Sequence, residues 1–314
     1  MISIFKTIEN AIHQIEEPEK DCWISLIHPD EAELKSVAQR YAIDIDDLRA
    51  ALDEEERSRI EVEPGYTLVL VDIPKVEKRD DKDKERYVTQ PLGIILTKEA
   101  IVTVCLEDTP ILSAIGNKRT REFHTHMKTR FVLQILYRNA SLYLQYLRAI
   151  DRASEMVERK LHGSTKNREL IELLELEKSL VYFTTSLRGN EVVFEKLLKN
   201  ENIKKYPEDT DLLEEVIVEN RQAMEMANIY SGILSGMMDA FASVISNNLN
   251  IVMKSLTVVT LVLSVPTMIF SAFGMNIPFD SIPFVNTPYG FLMVILLAVL
   301  VSVGLAVFFS KKNM

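Results

Sequence analysis

The sequence predicts an α/β domain followed by a long helical stalk and two C-terminal transmembrane helices. Three observations carry that prediction. Strand-like and helix-like hydrophobic patterns mix up to about residue 118, and from about Arg121 the chain becomes almost wholly helical. Near the end, two uncharged runs, Ser255–Phe273 and Tyr289–Phe309, hold 19 and 21 residues. At 1.5 Å per residue they reach about 28 and 32 Å, enough to cross a hydrocarbon core of about 30 Å. Charge divides the same way: the 314 residues carry −10, of which residues 251–314 carry +2 and the rest −12.

Taken in order, Asp21–Ile27 reads as a strand, and Pro29-Asp30-Glu31 opens a helix with Leu34, Val37, Ala38 and Tyr41 on one face. A second short helix is expected over Asp46–Glu55. Three β-rich runs follow, Tyr66–Val76, Tyr87–Thr97 and Ala100–Leu106, with the charged stretch Lys78–Arg86 as a solvated hairpin turn. One helix is expected to run to Leu161 and break at His162-Gly163, and another to span Asn167 to about Asn200. A third starts near Pro207, with Asp211 and Glu214 placed like a capping pair, and has no proline until Pro266. As one helix from Asp209 to Phe273 it would be about 97 Å long. The division expected is 1–118 for the α/β domain, 119–206 for a helical arm, 207–273 for the stalk and first span, 274–288 for a loop and 289–310 for the second span.

Composition excludes several classes. With 47% hydrophobic and 26% charged residues the chain is neither disordered nor fibrous. An acidic surface argues against a nucleic-acid partner. Cys22 and Cys105 are too few for a disulfide framework and read as reduced thiols. His124 and His126, placed on a helix, would point about 200° apart and so read as surface histidines. Glu54, Glu55 and Glu56 offer no acid–base geometry, and there is no nucleophile motif, zinc signature or nucleotide loop; the chain is not expected to be an enzyme or to hold a cofactor. Met1–Asn10 lacks the apolar stretch of a signal peptide. Lys254 and Lys311-Lys312 flank the outer ends of the spans, while Ile277–Pro288 has no Lys or Arg. The positive-inside rule then puts both termini in the cytoplasm; the membrane expected is a plasma (inner) membrane, with a mitochondrial one left open by the residues.

Small or polar residues recur along the long helix at Gly232, Gly236, Asp239, Ser243, Ser246, Asn250, Met253, Thr257, Thr260, Ser264, Thr267 and Ser271. The steps alternate between 4 and 3, a 3.5-residue period that keeps one face turned to a common axis. Two readings are open: close packing through small residues, or a hydrated conduit. One chain with two spans cannot enclose a pore, so a conduit requires an oligomer. Gly274-Met275-Asn276 follows at the end of the span, where the glycine is expected to adopt a left-handed conformation and the Asn to offer an amide oxygen.

This arrangement resembles the CorA family of divalent-cation transporters, whose signature is Gly-Met-Asn at the end of the first of two C-terminal spans. Pro266-Thr267 and Phe273 ahead of the motif fit that resemblance, as do Trp23-Ile-Ser-Leu26, Pro29, Leu34, Leu48, Leu52, Arg57, Ile60-Glu61 and Tyr66. The resemblance implies a homopentameric funnel that carries hydrated Mg²⁺, with Co²⁺ and Ni²⁺ as minor substrates, driven inward by the membrane potential. It makes Gly274, Met275 and Asn276 the outer selectivity element and places Asn250 and Met253 at the neck, with Asp239 a pore-facing carboxylate. Thr257, Thr260, Ser264, Thr267 and Ser271 would line the pore. Glu215 sits where a regulatory carboxylate for cytosolic Mg²⁺ is expected; the matching region near Ala50 is not acidic, and Asp53-Glu-Glu-Glu56 is the nearest substitute. Two alternatives stand beside this reading: a ZntB-like zinc transporter, disfavoured by Met275, and a membrane-anchored helical interaction protein whose stripe only packs.

Overall fold

The computed structural model describes residues 1–78, 85–116, 123–161, 167–199, 206–275 and 288–311. They divide into two compact units, Met1–Met238 and Asp239–Met314.

The first unit is built on a seven-stranded sheet. Its strands are β1 (Ile2–Ile8), β2 (Ala11–Ile15), β3 (Cys22–Ile27), β4 (Arg59–Glu63), β5 (Tyr66–Lys78), β6 (Glu85–Thr97) and β7 (Ala100–Cys105), in the order β2-β1-β3-β7-β6-β5-β4. Among the described strands, only β3 and β7 pair in parallel. Their register sets Cys22 beside Ala100 and Cys105 beside Ile27, so the two thiols are five residues apart along the strands, about 16 Å. That spacing forbids a disulfide, in line with the expectation of free thiols. Burial pushes the Cys105 thiol up to about 12.

Both faces of the sheet are covered, which is why the central strands are apolar nearly throughout. Alternate residues go to opposite sides. Ile24, Leu68, Leu70, Val102 and Val104 meet α1 (Glu31–Tyr41) and α2 (Ile45–Ala50) through Leu34, Val37 and Leu48. Trp23, Val69, Val71 and Ile101 meet the other layer: α3 (Pro110–Gly116), α4 (Lys128–Leu161), α5 (Asn167–Lys199) and the first turns of α6 (Pro207–Phe273). Asp30 and Glu33 close a capping box at the start of α1. Gly93 is needed where α2 ends over β6, because a Cβ there would stand 2.7 Å from that of Ala51.

One buried amide joins the sheet to α5. β4 ends at the pair Arg59↔Leu70, leaving the Asp72 backbone without a strand neighbour on that side. Asn190 replaces it: its Nδ2 donates to the Asp72 carbonyl at 2.8 Å and its Oδ1 accepts from the Asp72 N–H at 2.9 Å. Asn139 and Tyr143 of α4 donate to the same carbonyl. Burial holds the Asp72 carboxyl above the usual carboxylate range, partly offset by the hydroxyls of Ser186 and Ser58.

Several sequence expectations change. The second short helix stops at Ala50 rather than Glu55, since a turn capped by Asp53 follows. The long helix begins at Pro207, a residue suited to a first helical position because it lacks an N–H, so Asp211 and Glu214 lie inside it and do not cap it. Strands β1, β2 and β4 and helix α3 were not anticipated. The strands of the expected hairpin meet at Lys78↔Glu85, and its tip, residues 79–84, lies outside the described residues. So does the expected break at His162-Gly163.

The second unit consists of the end of α6 and α7 (Gly290–Lys311). Both α6 and α7 contain a segment long and apolar enough to cross a membrane.

Candidate functional site on the long helix

Helix α6 has two distinct sides. In the first unit it buries Leu213, Val216, Asn220, Ala223, Ala227 and Leu234, a face repeating every three to four residues. Polar side chains hold that region in place. Asn220 Nδ2 donates to the Leu187 carbonyl at 2.9 Å, and Arg221 pairs with Glu191 at 2.6 Å and Glu195 at 3.0 Å. Burial, together with the neighbouring Asp151 carboxylate, raises the pKa of the Tyr230 hydroxyl. Sequence reasoning missed these anchors, because an isolated Asn or Tyr in a helical pattern carries no signal of its own.

Gly232 stands two residues from Leu234, about 200° around the helix, so the polar stripe starts on the side opposite the buried face. A Cβ added to Gly232 or Gly236 would meet nothing within 4 Å. In the second unit, Val258, Val262, Val265, Ile269 and Phe273 are half-buried, and Val294 and Ala298 of α7 are buried. This apolar row lies about 150° from the stripe. Asp239, Ser243, Ser246, Asn250, Met253, Thr257, Thr260, Thr267 and Ser271 are accordingly exposed, and Ser264 is half-buried. Every described member of the predicted pore set thus shares one face that the chain itself leaves open.

The hydroxyls on that face are oriented. Thr257 donates to the Met253 carbonyl at 2.8 Å and Thr260 to Leu256 at 2.8 Å; Ser264 donates to Thr260 at 2.7 Å and Thr267 to Leu263 at 2.9 Å. With each hydroxyl hydrogen spent on the helix, oxygen lone pairs remain to face outward. Pro266 has no N–H to offer the Val262 carbonyl.

The end of the span differs from expectation. Gly274 is not in the left-handed conformation; Gly65 alone among the described glycines has positive φ. The Gly274 N–H still reaches the Phe270 carbonyl at 2.9 Å, and a Cβ there would come within 3.3 Å of that oxygen. Its role is therefore a close approach to the last turn. Met275 is exposed. Asn276 and the loop to residue 287 lie outside the described residues.

The carboxylates proposed for metal do not converge within one chain. Among the described residues, no group of three or more His, Cys, Asp or Glu could hold a metal ion. Asp239 is exposed on the stripe. Glu56 is held by Arg59 at 2.7 Å, and Asp53 accepts from the Glu55 N–H. Glu215 is exposed and lines a cavity of about 590 Å³ together with Phe123, His124, Arg130, Arg138 and Leu212. His124 and His126 precede α4 in a turn, not a helix, and their rings lie 5.4 Å apart. The 200° separation argued for a helix does not apply to them.

Comparison with known proteins agrees with this architecture. Residues 19–312 match the family model described as CorA-like Mg²⁺ transporter protein. The chain is 28% identical over 300 residues to the cobalt/magnesium transport protein CorA of Methanocaldococcus jannaschii, covering 93% of this chain and 90% of that protein. It is 20% identical to the protein of the same name from Thermotoga maritima, covering 98% and 88%. The complete structure of the CorA magnesium transporter from M. jannaschii superposes with a TM-score of 0.83 at 25% identity, over 99% of this chain and 98% of that one.

Proposed function

The chain belongs to the CorA-like Mg²⁺ transporter family, and on that premise we propose that it carries hydrated divalent cations inward through a homo-oligomeric pore lined by α6. Mg²⁺ is the chief substrate, with Co²⁺ and Ni²⁺ as minor ones. The observation that carries the reading is the open polar face: hydroxyls and amides run along a membrane-spanning segment, and within that unit α7 does not cover them. Such groups are not left facing lipid, so copies of the chain turn them to a shared, hydrated axis. The resemblance makes that assembly a pentamer.

The chemistry suits Mg²⁺, which surrenders its inner water shell reluctantly. Its bound waters point hydrogens outward, and the lone pairs of Thr257, Thr260, Ser264 and Thr267 accept them. Asn276 supplies a ring of amide oxygens at the outer end, Gly274 allows the close turn, and Met275 packs behind. Asn250 and Met253 form the neck, and Asp239 draws the cation along the axis. A charge of +2 moving down 100 mV gains about 4.6 kcal/mol, so influx needs no other energy source.

The same proposal sets both termini in the cytoplasm, since Lys254 and Lys311 flank the outer ends of the spans. Cytosolic Mg²⁺ as a regulatory ligand at Glu215 calls for carboxylates from a second subunit, because among the described residues no group of three or more His, Cys, Asp or Glu forms in one chain. The test is ion flux into liposomes holding the purified protein. Mg²⁺ entry that follows an imposed inside-negative potential supports the reading. Zn²⁺ entry that follows a pH gradient, with little Mg²⁺ flux, replaces it by proton-coupled zinc transport. No flux of either ion from a verified oligomer leaves the stripe as packing alone.

A further inference from the structure

We propose that the cavity between the turn at residues 123–127, α4 and α6 is a binding site for a soluble, phosphate-bearing anion. The cavity encloses about 590 Å³ and presents two guanidinium groups, Arg130 and Arg138, and one imidazole, His124. Arg138 is held from behind: its guanidinium carbon lies 4.8 Å from the ring centroid of Phe123, which is 1% exposed. A guanidinium stacked in this way keeps its N–H edge free for the oxygens of an oxyanion. Among the described residues, no ion pair within 4.0 Å engages Arg130 or Arg138. Arg130 acts on Asp209 only at longer range.

His124 lines the same wall. The first turn of α4, which starts at Lys128, brings the positive end of a 34-residue helix to the same place. Within one chain the described wall offers a single carboxylate, Glu215, against two guanidiniums, so the cavity favours an anion. A phosphate offers oxygens to both arginines at once, as a carboxylate of this chain does not. The volume leaves room for an ester or second phosphate against Met127 and Leu212. Because Leu212 and Glu215 belong to α6, occupancy of this cavity bears directly on the long helix.

The proposal stands apart from the transport reading and is tested by binding alone. Full-length protein in a phosphate-free detergent is titrated with pyrophosphate by calorimetry, without divalent metal and at constant ionic strength. Saturable binding is expected, at least tenfold weaker in Arg138→Gln and in Arg130→Gln, and severalfold tighter in Glu215→Gln. Arg159→Gln, on a surface pair with Glu155, is expected to bind as the unsubstituted protein does. Arg138→Lys, which keeps the charge and loses the fork, separates lost recognition from lost folding, and the melting temperature without ligand checks each variant. Absence of saturable binding, or equal weakening by Arg159→Gln, overturns the proposal. So does binding seen only when anionic phospholipid is added to the micelles, which assigns the cavity to a lipid headgroup.

Discussion

The hydroxyl of Thr257 gives its hydrogen to the carbonyl of Met253 at 2.8 Å, one turn back along α6. Thr260, Ser264 and Thr267 repeat the contact with Leu256, Thr260 and Leu263. This pairing settles the polarity of the open face. A serine or threonine can serve as donor or acceptor, but once its hydrogen is bound to the helix only acceptance remains. These four acceptors suit the outward hydrogens of a hydrated cation.

Removing one acceptor while keeping the side-chain shape isolates that effect. Thr260→Val preserves the branched form and leaves the Leu256 carbonyl in its ordinary helical bond. At about 1 kcal/mol for a lost hydrogen bond, Mg²⁺ flux should fall roughly fivefold or more, because the change repeats in every subunit. Liposome flux reads this, with the oligomer verified by gel filtration. Undiminished flux would remove Thr260 from the conduit.

Asp72 makes a prediction about stability. Its folded-state pKa is raised by burial above the unfolded value, so the folded state binds the proton more tightly. The resulting stability is fully present below the unfolded pKa and is lost as pH rises through the folded one. At neutral pH the Asp72 carboxyl is therefore a net cost relative to a neutral side chain of the same shape. Asp72→Asn should melt higher than the unsubstituted protein at pH 7, by about 1 kcal/mol, and the gap should close near pH 4. Thermal denaturation at the two pH values measures it.

Asn190 should be far less replaceable. Its side chain satisfies both backbone groups of Asp72 at 2.8 and 2.9 Å and accepts from Ser58 at 3.1 Å. Asn190→Leu leaves a buried N–H unpaired and weakens the carbonyl, at a cost of about 3 kcal/mol. Denaturant titration of the full chain should show the loss, and a change under 1 kcal/mol would contradict the role assigned.

The parts of the fold that were legible in the sequence have strong, regular patterns. The two spans are long runs without charge, and the stripe keeps its period over eleven steps, so neither depends on tertiary detail. Strands β5, β6 and β7 read clearly because each carries a run of apolar and β-branched residues, as in residues 67–71, 92–97 and 101–104. Strands β1 and β2 did not, since their partly buried residues mix Lys, Thr, His and Gln with isoleucine and show little alternation. The start of α6 near Pro207 was legible, but Asp211 and Glu214, read as a capping pair, lie inside the helix that Pro207 opens. Long-range placement was hidden altogether. Nothing local marks Asn190 as the partner of Asp72, 118 residues away, or sets Arg130 and Arg138 beside Glu215.

The central claim is that Mg²⁺ passes along the open face of α6 and is selected at its outer end. The most direct test compares unsubstituted protein with Asn276→Ala in liposomes under an inside-negative potential, following Mg²⁺ entry with an internal indicator. The account predicts potential-driven entry that falls at least tenfold in Asn276→Ala, with the assembly unchanged. Equal entry through both proteins, or entry indifferent to the potential, would contradict it.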